Sequence, residues 1–352
     1  MNFTKRLQEW HEDIQRDLPW KATDDPYKIW LSEIILQQTR VAQGKKYYLP
    51  FIERFPTVQS LAASSEDEVL SLWKGLGYYS RARNLRVAAQ QVCTDFDGMF
   101  PKDYQKLLSL KGVGPYTAAA ISSFAFHLPH AVVDGNVFRV LGRIYGITTP
   151  IDSAEGKKHF HQLAHEVLDK TNPAAHNQAI MDFGAVQCTP KSPKCSICPM
   201  QDSCIAFELN QVTIIPVKAK KIKVRSRHFN FFVIMEQGKI VLEKRTEKDI
   251  WKGLYQLPLI ESTSEIDPEK LVNEAIKKFT QPLDAADLQF IRSSKQRLTH
   301  QLINGYFYEV QVTLNTDDYK SYTAKEIEQV GIPKIVSDFL SDYNAEETRE
   351  TQ

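Results

Sequence analysis

Residues 188–204, CTPKSPKCSICPMQDSC, hold four of the chain's five cysteines: Cys188, Cys195, Cys198 and Cys204. Four thiols this close, punctuated by Pro190, Pro193 and Pro199, read as ligands of one metal centre. Cys195 and Cys198 stand too near each other to act as a structural staple, and nothing else points to an oxidising compartment, which argues against disulfides. Structural zinc sites usually present two short cysteine pairs, or a pair followed by histidines. Here a single C-x2-C is flanked by gaps of six and five residues. Such uneven spacing suits an iron–sulfur cluster but leaves zinc open. Cys93, in the helical stretch NLRVAAQQVC, reads as an ordinary packed thiol.

With 352 residues, 42% hydrophobic and 25% charged, the chain can bury two ordinary cores. The N-terminal MNFTKRLQEWHEDIQRDLPW mixes acids and bases through its apolar positions, unlike a signal or transit peptide. No apolar run approaches the ~20 residues of a membrane span. A cytoplasmic protein is expected, nucleoid-associated in a bacterium. The net charge is only +1, so any case for nucleic acid must rest on local patches. One is KAKKIKVRSR, 218–227, with six basic residues and no acid, readable as a solvated linker or as a phosphate-tracking segment.

Up to about residue 207 the pattern is helical. Asp25-Pro26 opens a helix as a cap followed by proline. SSEDEVLSLWKGLG, SRARNLRVAAQQV, PKDYQKLLSL, GPYTAAAISSFAF, NVFRVLGRIYG and SAEGKKHFHQLAHEVLDK carry apolar residues at helical spacing. Beyond the basic run the period changes. FNFFVIME, KIVLEKR and NGYFYEVQVTLN read as strands, PEKLVNEAIKKF and KEIEQVGIPKIVSDFL as helices. The expected organisation is an all-α domain over 1–207, a basic linker over 208–226, an α+β domain over 227–345 and an unstructured tail over 346–352.

SLKGVGPYTAAAI, 109–121, is a helix end, a tight Gly-Val-Gly turn and a new helix start. Gly112 and Gly114, on either side of Val113, bare backbone N–H groups beside a helix N-terminus, an arrangement that grips a phosphate without reading a base. This hairpin, then VVDGNVFRVLGR, then the four cysteines, follow in order along one helical region. The combination resembles the helix-hairpin-helix DNA glycosylases of the endonuclease III superfamily. WLSEIILQQTRV at 30–41 and GLGYYSRARNL at 75–85 narrow the resemblance to the MutY-type adenine glycosylases. It implies a 4Fe-4S cluster on the four cysteines and a monomer. The substrate it implies is duplex DNA with adenine mispaired with 8-oxoguanine or guanine.

Cleaving a base from deoxyribose is glycoside chemistry. A ring nitrogen of the base is protonated, and a carboxylate stabilises the cationic sugar. Glu33 shares a helix face with Ile29, Trp30 and Leu36, so its carboxyl is expected to have a raised pKa and to act as general acid. The resemblance adds a second role, activating the attacking water. Asp134 precedes a helix as its cap, which is expected to lower its pKa. By resemblance it stabilises the sugar cation or attacks it, with Asn136 orienting the base and the aspartate.

Tyr116 stands where the lyase-competent relatives carry a Schiff-base lysine, so base release without strand cleavage is implied. The resemblance further implies that Gln38, Thr39, Leu76 and Tyr78 contact or wedge beside the base opposite the flipped adenine. Trp20, Leu36, Gln178 and Met181 are implied to line the adenine pocket. HFNFFVIMEQGKIVLEKRTEKDIWKGLYQLP resembles the opening of a MutT-like (Nudix) fold. The magnesium-holding glutamate cluster does not follow Leu257-Pro258, so a recognition module is inferred. Its lesion-probing triplet corresponds to Leu298, Thr299 and His300. Two rivals stay open at this point: a glycosylase-lyase for oxidised pyrimidines, and a non-catalytic iron–sulfur DNA-binding protein.

Overall fold

The computed structural model describes residues 3–14, 16, 18–219, 224–312, 314 and 318–350. The chain divides into two compact units: Met1–Ala63 with Asn84–Lys221, and Ser64–Arg83 with Ile222–Gln352. This differs from the contiguous split expected at residue 207, because 64–83 packs with the C-terminal strands. Gly331 lies close against Leu70, and Gly253 against Glu66.

The helices of the first part are α1 (Phe3–Glu12), α2 (Pro26–Leu36), α3 (Val41–Arg54), α4 (Val58–Ala63), α5 (Glu66–Leu72) and α6 (Ser80–Asp95). They continue with α7 (Tyr104–Ser109), α8 (Pro115–Phe126), α9 (Gly135–Ile144), α10 (Ala154–Val167), α11 (Pro173–Asp182) and α12 (Ile205–Glu208). α2 begins as expected, with the Asp25 carboxylate accepting from Tyr27 N at 2.9 Å and Pro26 in the first helical position. It is buried nearly all round, from Tyr27 to Ile35. It packs on α3 and on α8. Small buried residues of α8, Ala118 to Ala120, Ser122 and Ser123, let the two helices approach closely. Around Val137, Leu141, Phe160, Ile180, Phe183 and Met200 forms the core that joins α8 to α11. After α11 a π-helical turn, Phe183–Gln187, delivers the chain to Cys188.

In the second unit, β1 (Arg225–Val233) lies between β5 (Leu259–Ser262) and β7 (Gln301–Val310), and β7 also pairs with β6 (Leu288–Arg297). β1 and β7 run parallel, and the other pairs are antiparallel. A second sheet pairs β3 (Lys239–Lys244) with β2 (Met235–Glu236), β4 (Tyr255–Gln256) and β8 (Tyr319–Tyr322). Helices α13 (Pro268–Phe279), α14 (Ala324–Glu328) and α15 (Lys334–Glu350) complete it. β6 has no counterpart in the sequence reading, because QFIRSSKQR alternates only weakly and is largely solvent-facing.

Three expectations change. The tail expected from residue 346 is helical to Glu350, as its Ala-Glu-Glu-Thr-Arg-Glu composition favours. The linker expected over 208–226 begins on α12 and ends inside β1, while residues 220–223 lie outside the described residues. Arg227, the last residue of the basic run, is buried and ion-paired with Asp249 and Glu261, so it is neither linker nor phosphate contact.

Gly112 adopts φ +79°, and a Cβ there would lie 2.9 Å from Asn84 Cβ. Gly112→Ala is expected to destabilise the helical unit by roughly 1–2 kcal/mol, from left-handed strain and the forced shift of Asn84. Thermal melting followed by circular dichroism checks this, and an unchanged midpoint would mean that the turn tolerates a Cβ.

Candidate active site and cysteine loop

The first unit opens into a cavity of ≈ 830 Å³, lined by α2, α8, the cap of α9, α11 and, ahead of α2, by His11, Ile14, Arg16, Leu18 and residues 20–24. Glu33 reaches it from α2 and is only 8% exposed. Burial pushes its carboxyl up to about 7; the hydrogen bond from Tyr116 opposes the shift and the charge of Asp134 adds to it. Tyr116, in the first turn of α8, donates from its hydroxyl to Glu33 Oε2 at 2.6 Å and contacts Met181 Sδ at 3.5 Å. The Gly-Val-Gly turn therefore does two things at once. It turns the chain, and through Pro115 it starts the helix that aims Tyr116 at Glu33.

Asp134 caps α9. Its Oδ1 accepts from the N–H groups of Asn136 and Val137, both at 2.8 Å, and its Oδ2 from Asn136 Nδ2 at 2.7 Å. The expectation of a lowered pKa is corrected here. Burial raises the Asp134 carboxyl more than these hydrogen bonds, and nearby Arg139, lower it. Arg139 Nη2 in turn donates to Asn136 Oδ1 at 2.8 Å and to Gly184 O at 2.7 Å, and its Nε donates to Cys188 O at 2.7 Å. One guanidinium thus ties the capped aspartate to the first residue of the cysteine loop.

Trp20, Leu36, Thr39, Gln178 and Met181 line the same cavity as Glu33, Asp134, Asn136 and Tyr116. Gln38 does not; it is exposed, with a left-handed backbone at φ 58°. At the hairpin Val113 is buried and its N–H bonds Leu110 O at 3.0 Å, while a Cβ at Gly114 would meet open space. The sequence reading missed Asp182. This fully buried carboxylate on the cavity wall accepts from Lys21 Nζ at 2.7 Å, from His11 Nε2 at 3.0 Å and from Arg16. Burial alone would raise it, but the hydrogen bonds of His11, Lys21 and Arg16 hold it well below the usual carboxylate range. No local pattern marks these residues, because the donors come from the segment before α2 and from α1.

The second unit has its own cavity, of ≈ 380 Å³, and it brings together residues far apart in sequence. Leu76 and Tyr78 share its wall with Leu298, Thr299 and His300, which form the turn between β6 and β7. The Tyr78 hydroxyl bonds the Thr299 hydroxyl. Tyr78 is 41% exposed, which sets it apart from buried Leu76 and Tyr79.

The four loop cysteines line a small cavity of ≈ 20 Å³ with Ile144, Phe183 and Met200. Burial raises the thiols of Cys195, Cys198 and Cys204, that of Cys198 to about 11, and the neighbouring cysteines raise them further. Four thiolates lining one small cavity would need a cationic centre among them to ionise together. Among the described residues no trio of potential ligands converges on a single ion. Arg143 donates to Cys188 Sγ at 3.4 Å and to Thr189 O at 2.8 Å, fixing the loop entrance. This donor set, all sulfur and backed by an arginine, fits an iron–sulfur cluster.

Residues 31–166 match the HhH-GPD superfamily of base excision DNA repair proteins, 188–204 the iron-sulfur binding domain of endonuclease III, and 230–342 a NUDIX domain. An adenine DNA glycosylase of Buchnera aphidicola subsp. Schizaphis graminum is 33% identical over 97% of this chain and 98% of its own length. That of Buchnera aphidicola subsp. Acyrthosiphon pisum is 36% identical over 75% of each. Among solved structures, a thermostable thymine-DNA glycosylase is 31% identical with a TM-score of 0.55, covering 59% of this chain and 95% of its own.

A folded pKa of about 7 against an ordinary 4.5 means that Glu33 stabilises the fold only while protonated. Its contribution is complete below the unfolded value and is lost as pH rises through 7. At about 1.36 kcal/mol per pKa unit the loss approaches ~3 kcal/mol. Glu33→Gln is therefore expected to be more stable than the parent at pH 8, with the gap closing toward pH 5. Unfolding midpoints measured across that range check it, and a pH-independent difference would contradict the raised pKa.

Proposed function

Because this chain belongs to the adenine DNA glycosylases of base excision repair, we propose that its ≈ 830 Å³ cavity receives a flipped adenine and that Glu33 and Asp134 divide the chemistry of its release. The protein is a hydrolytic DNA N-glycosylase whose substrate is DNA, and its cofactor is a 4Fe-4S cluster. The observation that carries the proposal is a buried carboxyl with a pKa near 7, hydrogen-bonded by Tyr116, in one cavity with a carboxylate held by three N–H donors.

Glu33, half protonated near neutrality, is placed to protonate a ring nitrogen of the leaving base. As the bond lengthens, positive charge grows on the sugar. Asp134, burdened by burial when it faces no cation, gains most as that charge appears, whether as electrostatic partner or as nucleophile. Asn136 holds the aspartate in place through its side-chain and backbone N–H groups. Having given up its proton, Glu33 is the base for the attacking water, and the Tyr116 hydroxyl keeps the carboxylate aimed. Trp20, Leu36, Gln178 and Met181 enclose the base. With tyrosine at 116 no amine occupies that position to form a Schiff base, and Lys21, the amine on the cavity wall, is engaged by Asp182, so the product is an intact strand with an abasic site.

The mispaired partner of the adenine is 8-oxoguanine or guanine. In the second unit Tyr78, Leu76 and the Leu298-Thr299-His300 turn line one cavity suited to contacting that base, and in the first unit Gln38 and Thr39 are taken as DNA contacts. Gly112 and Gly114 grip a backbone phosphate through their N–H groups. Cys188, Cys195, Cys198 and Cys204 hold the cluster, which when bound supplies a cross-link closing the 188–204 loop. The C-terminal domain acts as a recognition module, and the enzyme works as a cytoplasmic, nucleoid-associated monomer.

Single-turnover assays on a labelled duplex with adenine opposite 8-oxoguanine test the reading. Breaks are expected only after hot alkali. Glu33→Gln is expected to lower release at least ~100-fold, the scale of one general acid, with DNA binding retained. Strand cleavage without alkali, or full activity in the variant, would refute the assignment. Cys198→Ser is expected to bleach the visible absorbance of the purified protein and lower its iron content. Undiminished iron would remove Cys198 from the ligand set.

A further inference from the structure

Among the described residues of the cavity wall, Asp182 is the fully buried carboxylate that the chemistry above leaves unused, and it gathers donors from three parts of the chain. Its Oδ2 accepts from Lys21 Nζ at 2.7 Å, His11 Nε2 at 3.0 Å and Gln178 Nε2 at 3.1 Å, and its Oδ1 accepts from Arg16. A carboxylate only accepts hydrogen bonds. The amide of Gln178 must therefore turn its NH2 toward Asp182, which sends its carbonyl oxygen the other way. Among the described residues no donor reaches that oxygen. Gln178 lines the cavity, so a free acceptor of fixed orientation stands where a base is enclosed.

We propose that Asp182 is a positioning residue for base selection, locking the Gln178 amide so that its carbonyl accepts from the exocyclic 6-amino group of adenine. This rests on the cavity being the base site, as proposed above. An amide free to rotate would offer NH2 or C=O equally and would not distinguish a purine bearing a donor at position 6 from one bearing none. Two of the cations around Asp182, Arg16 and Lys21, are tied down by the same carboxylate, so the lock is braced from the segment before α2. The i, i+4 spacing of Gln178 and Asp182 on α11 sets the pair on one helix face.

The test compares single-turnover release of adenine and of 6-unsubstituted purine from otherwise identical duplexes, using protein with its cluster in place. Asp182→Asn supplies a donor as well as an acceptor and unlocks Gln178. It is expected to lower adenine release about tenfold more than purine release, the value of one hydrogen bond. Asp182→Glu, which keeps an acceptor-only group, is expected to restore part of the ratio. Should Asp182→Asn fail to fold because three donors lose their anion, the charge-balanced pair Lys21→Met with Asp182→Asn takes its place. Equal losses on both purines would reduce Asp182 to a structural anion and overturn the proposal. If instead Glu33→Gln releases adenine as fast as the parent, the cavity is not the base site and the underlying reading falls first.

Discussion

Keeping a carboxyl group out of water is unfavourable unless it carries a proton or is paired, and the catalytic face of this protein is arranged around that constraint at Glu33. α2 is enclosed on nearly every side, and Glu33 lies among its buried positions, meeting solvent only through the cavity. The Tyr116 hydroxyl is the direct partner given to it, and the cost of burying the anion appears as a pKa near 7. A helix that packed less completely would leave an ordinary surface glutamate. The close approach of α2 to the small-residue face of α8 is therefore as much a part of the acid as the carboxyl itself.

Glu33, Asp134 and Asp182 all meet the cavity, the first and last buried and Asp134 half-buried, and their surroundings separate them. Glu33 is held by one hydroxyl and stays near neutrality in its titration. Asp134 has three N–H donors but no directly bonded cation, and its net direction is still upward. Asp182 has three basic side chains and is driven well below the ordinary range. Burial pushes all three upward, so the number and charge of the donors decide where they part. The same logic extends to the cysteine loop. Arg139 and Arg143 donate to its backbone and to Cys188, connecting the loop by hydrogen bonds to the cap of α9.

In the C-terminal unit, a tyrosine held at positive φ next to Gly77 and a turn between two strands supply hydroxyls from positions 221 residues apart. Left-handed backbone at a bulky residue is uncommon and is maintained only where the surroundings determine it. Leu76 and Tyr79 are buried on either side of Tyr78, which leaves its ring directed outward. The sheet that carries Thr299 thus needs the short excursion 64–83 from the N-terminal half of the chain to complete its cavity.

Local signals in the sequence sufficed for most helices, for the change of period after the basic run, for Asp25 and Asp134 as caps, and for the cysteine cluster. Each depends on neighbours within a few residues. Glu33 was legible as a residue on an apolar face, and the resemblance of SEIILQQT raised it above other glutamates. What sequence could not supply depended on partners remote in the chain. β6 is an exposed strand with little alternation, Arg227 lost its reading as a linker cation to Asp249 and Glu261, and Asp134 turned out to be raised because burial is a tertiary quantity. Asp182 is the sharpest case. Its residue type and its place at the end of α11 are written in the sequence, but its meaning comes from His11, Arg16 and Lys21, more than 160 residues away, and only folding brings those donors to it.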